Sequence, residues 1–258
     1  MPRFSANLSI MFAEYDFMDR FERAAKAGFK AVEYMFPYPY EKVDLVDKLE
    51  QYGLTQVLMN LPAGNWDSGE RGIAVIPGRE NEFRRGVDLA IDYAKALKVP
   101  LVNCLVGLTP KDVAPEQARA SVVANLGYAA QVLATKGIKL LIEALNTNDI
   151  PGFYLSSTAE VLALIEEVNH PNLFIQHDVY HMQVMEGNLT NTIRKNIGRI
   201  GHIQIADVPG RNEPGTGEIN YTNLFRFIDE AGYGGFIGCE YRPFTRTEDG
   251  LDWVKPYL

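Results

Sequence analysis

The sequence predicts an α/β protein built as a single (β/α)8 barrel, and three observations carry that prediction. Eight short β-rich runs alternate with longer runs of helical period from one end of the chain to the other. The strand-like runs are apolar on both faces, as in a parallel sheet covered by helices. Eight such units in 258 residues match the size of one closed barrel.

In chain order, the predicted strands are FSANLS (4–9), AVEYMF (31–36), TQVLMN (55–60), LVNCLVG (101–107), KLLIEAL (139–145), LFIQHDV (173–179), HIQIADV (202–208) and FIGCEY (236–241). Helices are expected between them near 17–27, 42–52, 81–98, 115–136, 157–169, 188–199 and 220–231, with a last one near 247–256. In the run 115–136, Ala118, Val122, Leu126, Ala129 and Leu133 recur at three- and four-residue spacing, the stripe of a buried helical face. Gly53 and Gly137 each fall just past a helical run, where a left-handed closing residue is wanted. Ser157 or Thr158, with Glu160 following, reads as the N-cap of the next helix. A doubly wound sheet is the alternative, but no strand-like run leads into a GxGxxG or GxxxxGK[ST] phosphate loop. No linker, repeat or low-complexity segment interrupts the alternation, so residues 1–258 read as one domain.

One connection breaks the rhythm. Residues 61–80, LPAGNWDSGERGIAVIPGRE, hold four glycines, two prolines, a Trp and two arginines, with no helical period. A stretch this long without regular structure is usually functional or a misassigned element, and a decorative insertion is the alternative to a functional loop. Following the third strand, it falls on the C-terminal face of a barrel, where such enzymes keep their active sites, and it is expected to cover a substrate.

Composition narrows the classes. With 47% hydrophobic residues the chain is globular rather than disordered, and no apolar run approaches the ~18 residues of a membrane span. The start, MPRFSANLSIMFAEYDF, lacks the features of a signal or transit peptide. Lys and Arg number 25 against 33 Asp and Glu, a net charge of −8, which repels nucleic acid and anionic lipid rather than gathering them. Cys104 and Cys239, both inside apolar runs, are expected to be reduced core residues of a cytoplasmic protein. A homo-oligomer is left open.

The chemistry concentrates late in strands five to eight. Glu143 lies in the fifth, Asp178 in the sixth, Gln204 in the seventh and Glu240 in the eighth, each in or near the C-terminal half of its strand and in largely apolar sequence. Taken singly, each carboxylate reads as a partner for Arg or Lys or as a group reaching solvent. Four polar groups at similar height in adjacent strands read differently, because burying three carboxylates together is costly unless a divalent cation is shared between them. All four offer oxygen, which favours Mg²⁺ or Mn²⁺ over zinc. Of the four histidines, His170 reads as a surface residue, His177 faces the helices by alternation with Asp178, and His202 lies lower in the barrel as a packed side chain. His181, three residues past Asp178, is placed to touch a substrate oxygen. Arg71 and Arg211 are candidates to bind an anionic substrate, and Trp66 and Phe12 to line its pocket. Glu213 and Glu218 bracket a PGTG turn that shapes the loop after strand seven, with Tyr221 as its anchor.

The segments NLPAGNWDSGERGIAVIPGRENEFR (60–84), IQHDVYHMQ (175–183) and HIQIADVPGRNEPGTGEINY (202–221) closely resemble the hydroxypyruvate isomerase family, one of the xylose-isomerase-like barrels. The similarity runs from SANLSIMF (5–12) to GFIGCEYRP (235–243). The resemblance implies a metal held by Glu143, Asp178, Gln204 and Glu240, with Glu143 and Glu240 as the acid/base pair. It also implies aldose–ketose isomerisation of a small anionic hydroxy-oxo acid, either hydroxypyruvate or a four-carbon 2-oxo-tetronate analogue. Two positions depart from the family pattern: Asn212 stands where His is expected in a GRHEPG run, and His177 where an apolar residue is usual. The alternatives are a ketose 3-epimerase, against which Gln204 stands where those relatives carry His, and a zinc-dependent apurinic-site nuclease, against which four histidines and a charge of −8 argue. A non-catalytic binding protein on the same barrel is the alternative of another class.

Overall fold

A computed structural model describes all 258 residues and shows eight parallel strands closed into one barrel in sequential order. The strands are β1 (Arg3–Asn7), β2 (Ala31–Glu33), β3 (Thr55–Asn60), β4 (Leu101–Asn103), β5 (Lys139–Glu143), β6 (Leu173–Asp178), β7 (Ile200–Ile205) and β8 (Phe236–Cys239), the last pairing with the first. The helices are α1 (Phe17–Lys26), α2 (Lys42–Tyr52), α3 (Glu80–Ala96), α4 (Pro115–Ala134), α5 (Thr158–Val168), α6 (Val179–Met185), α7 (Leu189–Asn196) and α8 (Tyr221–Glu230). The stripe Ala118, Val122, Leu126, Ala129 and Leu133 is buried, as its period predicts. No helix is long and apolar enough to cross a membrane.

Two elements differ from the sequence reading. The stretch near 247–256 is not one helix but two 3-10 turns, Thr247–Gly250 and Lys255–Tyr257. Gly250 and Pro256 interrupt the segment, and both disfavour a helix interior. In addition, α6 follows β6 without a gap, although sequence places no helix there. Seven residues are too few to show a helical period, and the helix depends on Asp178, whose side chain accepts a hydrogen bond from Tyr180 N at 2.9 Å. Phe12 lies in the fully buried core and does not line the active-site pocket. Both cysteines are buried and unpaired.

The barrel interior is divided along its axis. Ala31, Leu58 and Leu141, with Leu101, Phe174 and Phe236 packed against them, form an apolar plug toward the N-terminal end. Above it the inward positions turn polar on nearly every strand: Ser5, Asn7, Glu33, Asn60, Asn103, Glu143, Gln176, His202 and Gln204 are all buried. Register joins these positions across the sheet. Asn7 pairs with Glu33, Asn60 with Asn103, Glu143 with Gln176, and Asp178 with Gln204. Polar side chains that are neighbours on one face of adjacent strands are within reach of each other, so the upper barrel forms a connected hydrogen-bond layer.

The N-cap of α5 is Ser157, whose Oγ accepts from Glu160 N at 3.2 Å, and the helix closes at Asn169 in the left-handed region. Replacing Ser157 by Ala leaves that amide without its partner and is expected to cost about 1 kcal/mol of stability. Chemical denaturation of the variant measures it; an unchanged midpoint would show that water caps the helix equally well.

Candidate active site

Each predicted carboxylate lies at the C-terminal end of its strand, and Glu143 and Glu240 are held by neighbouring side-chain amides. Glu143 Oε1 accepts from Asn103 Nδ2 at 2.6 Å, and its Oε2 from Gln176 Nε2 at 3.0 Å. Gln176 Nε2 also donates to Gln204 Oε1 at 2.7 Å, while Gln204 Nε2 donates to Glu33 Oε1 at 2.8 Å. Glu240 Oε1 accepts from Asn7 Nδ2 at 3.2 Å, and its Oε2 from Arg211 Nη2 at 2.5 Å. The same Nη2 stands 3.5 Å from Asp178 Oδ2. Glu143, Gln204 and Glu240 line one pocket of about 330 Å³ together with Asn7, Glu33, Asn60, Trp66, Arg71, His181, Arg211 and Arg242. That volume lies at the low end of the roughly 300–1,000 Å³ typical of ligand pockets, which suits a small metabolite.

Charge is the dominant feature of the pocket. Burial pushes the Glu143 carboxyl up to about 7, and the Asp178 charge adds to the rise against the donors Asn103 and Gln176. Burial also raises Glu240 well above the usual carboxylate range, with Arg211 opposing and the charges of Asp178, Glu143 and Glu33 reinforcing. Glu33 behaves oppositely. Burial alone would raise it, but His202 and the hydrogen bonds of Gln204 and Ser5 hold it below the ordinary range. His181 is pushed down to about 4, chiefly by burial, and is therefore neutral near pH 7. Its Nδ1 accepts from Asn146 N at 3.1 Å, so the remaining proton sits on Nε2, 3.5 Å from Asp178 Oδ2. A neutral N–H donor thus lines the pocket.

Three carboxylates with one guanidinium among them leave negative charge in excess, and the donor set is oxygen throughout. That chemistry fits a hard divalent cation. As the side chains stand, no three His, Cys, Asp or Glu groups converge closely enough to hold an ion, and Arg211 supplies the positive charge between Asp178 and Glu240. Arg211 itself adopts a positive φ of 54° in the loop after β7. That loop is built around Asp207, whose buried carboxylate accepts from the backbone N–H of Val208, Gly215, Gly217 and Ile219 at 2.9–3.0 Å. Tyr221 anchors it by donating its hydroxyl to Ala206 O at 2.7 Å. At the departure Asn212, Nδ2 donates to Arg242 O at 2.8 Å, tying this loop to the one after β8.

Residues 61–79 stand at the same face and deliver Trp66 and Arg71 to the pocket. The Arg71 guanidinium stacks 3.9 Å from the Trp66 ring centroid, which lies edge-on to Phe36. The stretch is anchored rather than loose. Ile73, Ala74 and Val75 are buried, Val75 N donates to Val106 O, Asn125 Nδ2 donates to Ala74 O, and Glu70 is salt-bridged to Arg79. Gly72 makes this packing possible: an added Cβ would fall 1.9 Å from Leu105 O.

Sequence reading missed the contribution of the first four strands. Asn7, Glu33, Asn60 and Asn103 share the inward parity of the predicted residues, but Glu33 and Asn103 fall early in the longer strands read from sequence and become strand ends only in the structure. Sequence reading also missed Arg242, which lines the pocket, is exposed and carries no ion pair. Two histidine readings agree with the structure. His202 is packed against Glu33, with Nε2 2.9 Å from Oε2. His177 is buried outside the pocket, with its Nε2 unpartnered and its titration pushed down to about 4 by burial.

Residues 21–257 match the family model described as the xylose isomerase-like TIM barrel. The hydroxypyruvate isomerase of Escherichia coli is 56% identical over 100% of both chains. The 2-oxo-tetronate isomerase of Cupriavidus necator is 46% identical, covering 100% of this chain and 99% of the relative. Among solved structures, a Brucella melitensis protein described as an AP endonuclease, family 2, superposes with a TM-score of 0.97 at 46% identity, over 100% of this chain and 99% of that one.

The crowding of carboxylates makes a prediction about stability. The folded protein binds the Glu143 proton more tightly than an unfolded chain titrating near 4.5. Glu143 therefore stabilises the fold fully at pH below 4.5 and loses that contribution as pH rises through about 7. In metal-free protein the Tm of wild type should fall relative to that of Glu143→Gln between pH 5 and pH 8; a difference independent of pH contradicts the raised titration.

Proposed function

The chain belongs to the xylose isomerase-like TIM barrel family, and on that premise we propose that it interconverts hydroxypyruvate and tartronate semialdehyde (2-hydroxy-3-oxopropanoate). It is an isomerase of small oxo acids. The full-length 56% identity to a hydroxypyruvate isomerase carries the choice of the three-carbon acid over its 2-oxo-tetronate analogue, whose isomerases are 44–46% identical.

The reaction moves one proton off C3 and another onto C2, while a hydroxyl proton passes from O3 to O2. Glu143 and Glu240 are the pair proposed to exchange the carbon-bound protons, because both carboxylates line the pocket, one at the end of β5 and the other just past β8. A divalent cation, Mg²⁺ or Mn²⁺, held by Glu143, Asp178, Gln204 and Glu240 would stabilise the enediolate by polarising the substrate oxygens. The Nε2 proton of His181 is placed to hydrogen-bond one of those oxygens. The substrate carboxylate needs a cation of its own. Arg211 is already committed to Glu240 and Asp178, whereas Arg71 and Arg242 line the pocket without an ion pair. These two are proposed to bind it, with Trp66 holding Arg71 in place. The acid-lined pocket and the net charge of −8 support a small molecule rather than nucleic acid as the partner. Two buried, unpaired thiols suit the reducing cytoplasm.

Incubating the protein with hydroxypyruvate, a four-carbon 2-oxo acid and free ketoses, each with Mg²⁺ or Mn²⁺, separates the outcomes. Turnover is expected with hydroxypyruvate; exchange at C3 of free ketoses alone would make the protein an epimerase instead. Glu143→Gln and Glu240→Gln should each lower kcat by about 10²–10⁴-fold in a folded protein, and near-normal activity in either rules out the two-glutamate scheme. Arg242→Ala should raise KM for the acid with a much smaller effect on kcat, the split that distinguishes substrate binding from chemistry.

A further inference from the structure

We propose that Glu33 is the positioning residue of this site: a permanently buried carboxylate that fixes which way Gln204 presents its amide and holds Asn7 against Glu240. The inference rests on the reading of Glu240 as catalytic and of Gln204 as a metal-holding group given above. Its geometry is local to the barrel axis. Glu33 is fully buried at the end of β2, and its two oxygens accept four hydrogen bonds. Oε1 takes Asn7 Nδ2 at 3.2 Å and Gln204 Nε2 at 2.8 Å, while Oε2 takes Ser5 Oγ at 2.8 Å and lies 2.9 Å from His202 Nε2.

Each contact has a consequence outside Glu33. An amide side chain can be turned either way round, and only its partners decide which end is oxygen. Because Glu33 takes the Gln204 nitrogen, Gln204 Oε1 must face the other way. There it accepts from Gln176, the residue that also donates to Glu143. On the other side, the Asn7 nitrogen is shared between Glu33 and Glu240, each at 3.2 Å. One carboxylate therefore sets the hydrogen bonding that reaches both proposed catalytic glutamates.

The opposing wall is cut to fit it. On β8, an added Cβ at Gly238 would lie 2.3 Å from Glu33 Oε1 and 2.4 Å from Oε2. Glycine inside a strand is otherwise a weak choice, and its use here marks the close approach of another group. Removing an outer partner of this kind typically lowers metal affinity or activity by about 10–100-fold.

Two substitutions at Glu33 separate positioning from filling space. Met is of similar length but accepts no hydrogen bond. Gln keeps an oxygen for Asn7 and Gln204, and its NH₂ can face Ser5, whose hydroxyl accepts, and His202, whose proton can move to the presently unpartnered Nδ1. Glu33→Met is expected to lower kcat for hydroxypyruvate and the affinity for Mn²⁺, titrated calorimetrically without substrate, each by at least about tenfold. Glu33→Gln should recover most of both. Equal behaviour of the two variants, or Mn²⁺ affinity and kcat unchanged in folded Glu33→Met, overturns the inference. If Glu33→Met does not fold, Gly238→Ala displaces the Glu33 carboxylate without removing it and should move both quantities the same way; unchanged values there also overturn it. Should wild type turn over no oxo acid, the functional reading fails, while the Mn²⁺ titrations still decide the role of Glu33.

Discussion

Four carboxylates, those of Glu33, Glu143, Asp178 and Glu240, are buried in or beside one barrel mouth with Arg211 as the only guanidinium bonded among them. Most of the local structure follows from that arrangement. A buried carboxylate must either gain hydrogen bonds or take up a proton. Glu33 meets the first condition with four donors and is held below its usual range. Glu143 and Glu240 have fewer donors and repel one another and Asp178, so they are raised instead. The same barrel thus favours the charged form of one carboxylate, a hydrogen-bond acceptor, and the protonated form of two others. The difference lies in the number and direction of neighbouring donors rather than in depth, since all four are buried.

The amides of the layer are what make such crowding tolerable. Asn7, Asn103, Gln176 and Gln204 each place a nitrogen on a carboxylate, and Gln176 and Gln204 also bond each other. Neutral donors stabilise a carboxylate without cancelling the charge that acid/base chemistry and cation binding both use. Lysines in the same positions would neutralise it. Beneath the layer, the apolar plug of Ala31, Leu58 and Leu141 closes the barrel, so solvent and substrate approach from the C-terminal face.

The loops answer to the same field. Asp207 gathers four backbone N–H groups and so shapes the turn that carries Arg211 to Glu240, and Asn212 bonds that turn to Arg242. At Asn212 a short amide replaces the His expected in the family pattern and still spans the two arginine-bearing loops. On the opposite rim, the segment around Trp66 and Arg71 is held by buried Ile73, Ala74 and Val75. Arg71 and Arg242 therefore sit at the rim, with Arg211 and the carboxylates below them, an order that suits a substrate carrying its carboxylate at one end and its reacting carbons at the other.

By itself the sequence determined the architecture. Strand and helix periods, with glycines closing helices and a serine opening one, are local properties that survive into any fold built from them. The eight-unit count then leaves a closed barrel as the fitting arrangement. It also exposed Glu143, Asp178, Gln204 and Glu240, because a polar residue late in an apolar strand is conspicuous along the chain. Which polar residues act together was decided only by the tertiary structure. Glu33 and His202 are 169 positions apart, and Asn7 and Glu240 are 233 apart, so no spacing announces either pair. Barrel closure alone brings β1 and β2 against β7 and β8. In that closed space, hydrogen-bond direction and desolvation, which have no counterpart in an open chain, assign Arg211 to Glu240, Asp178 and Asp149, leave Arg242 unpaired, and turn Glu33 into the acceptor around which Gln204 is oriented.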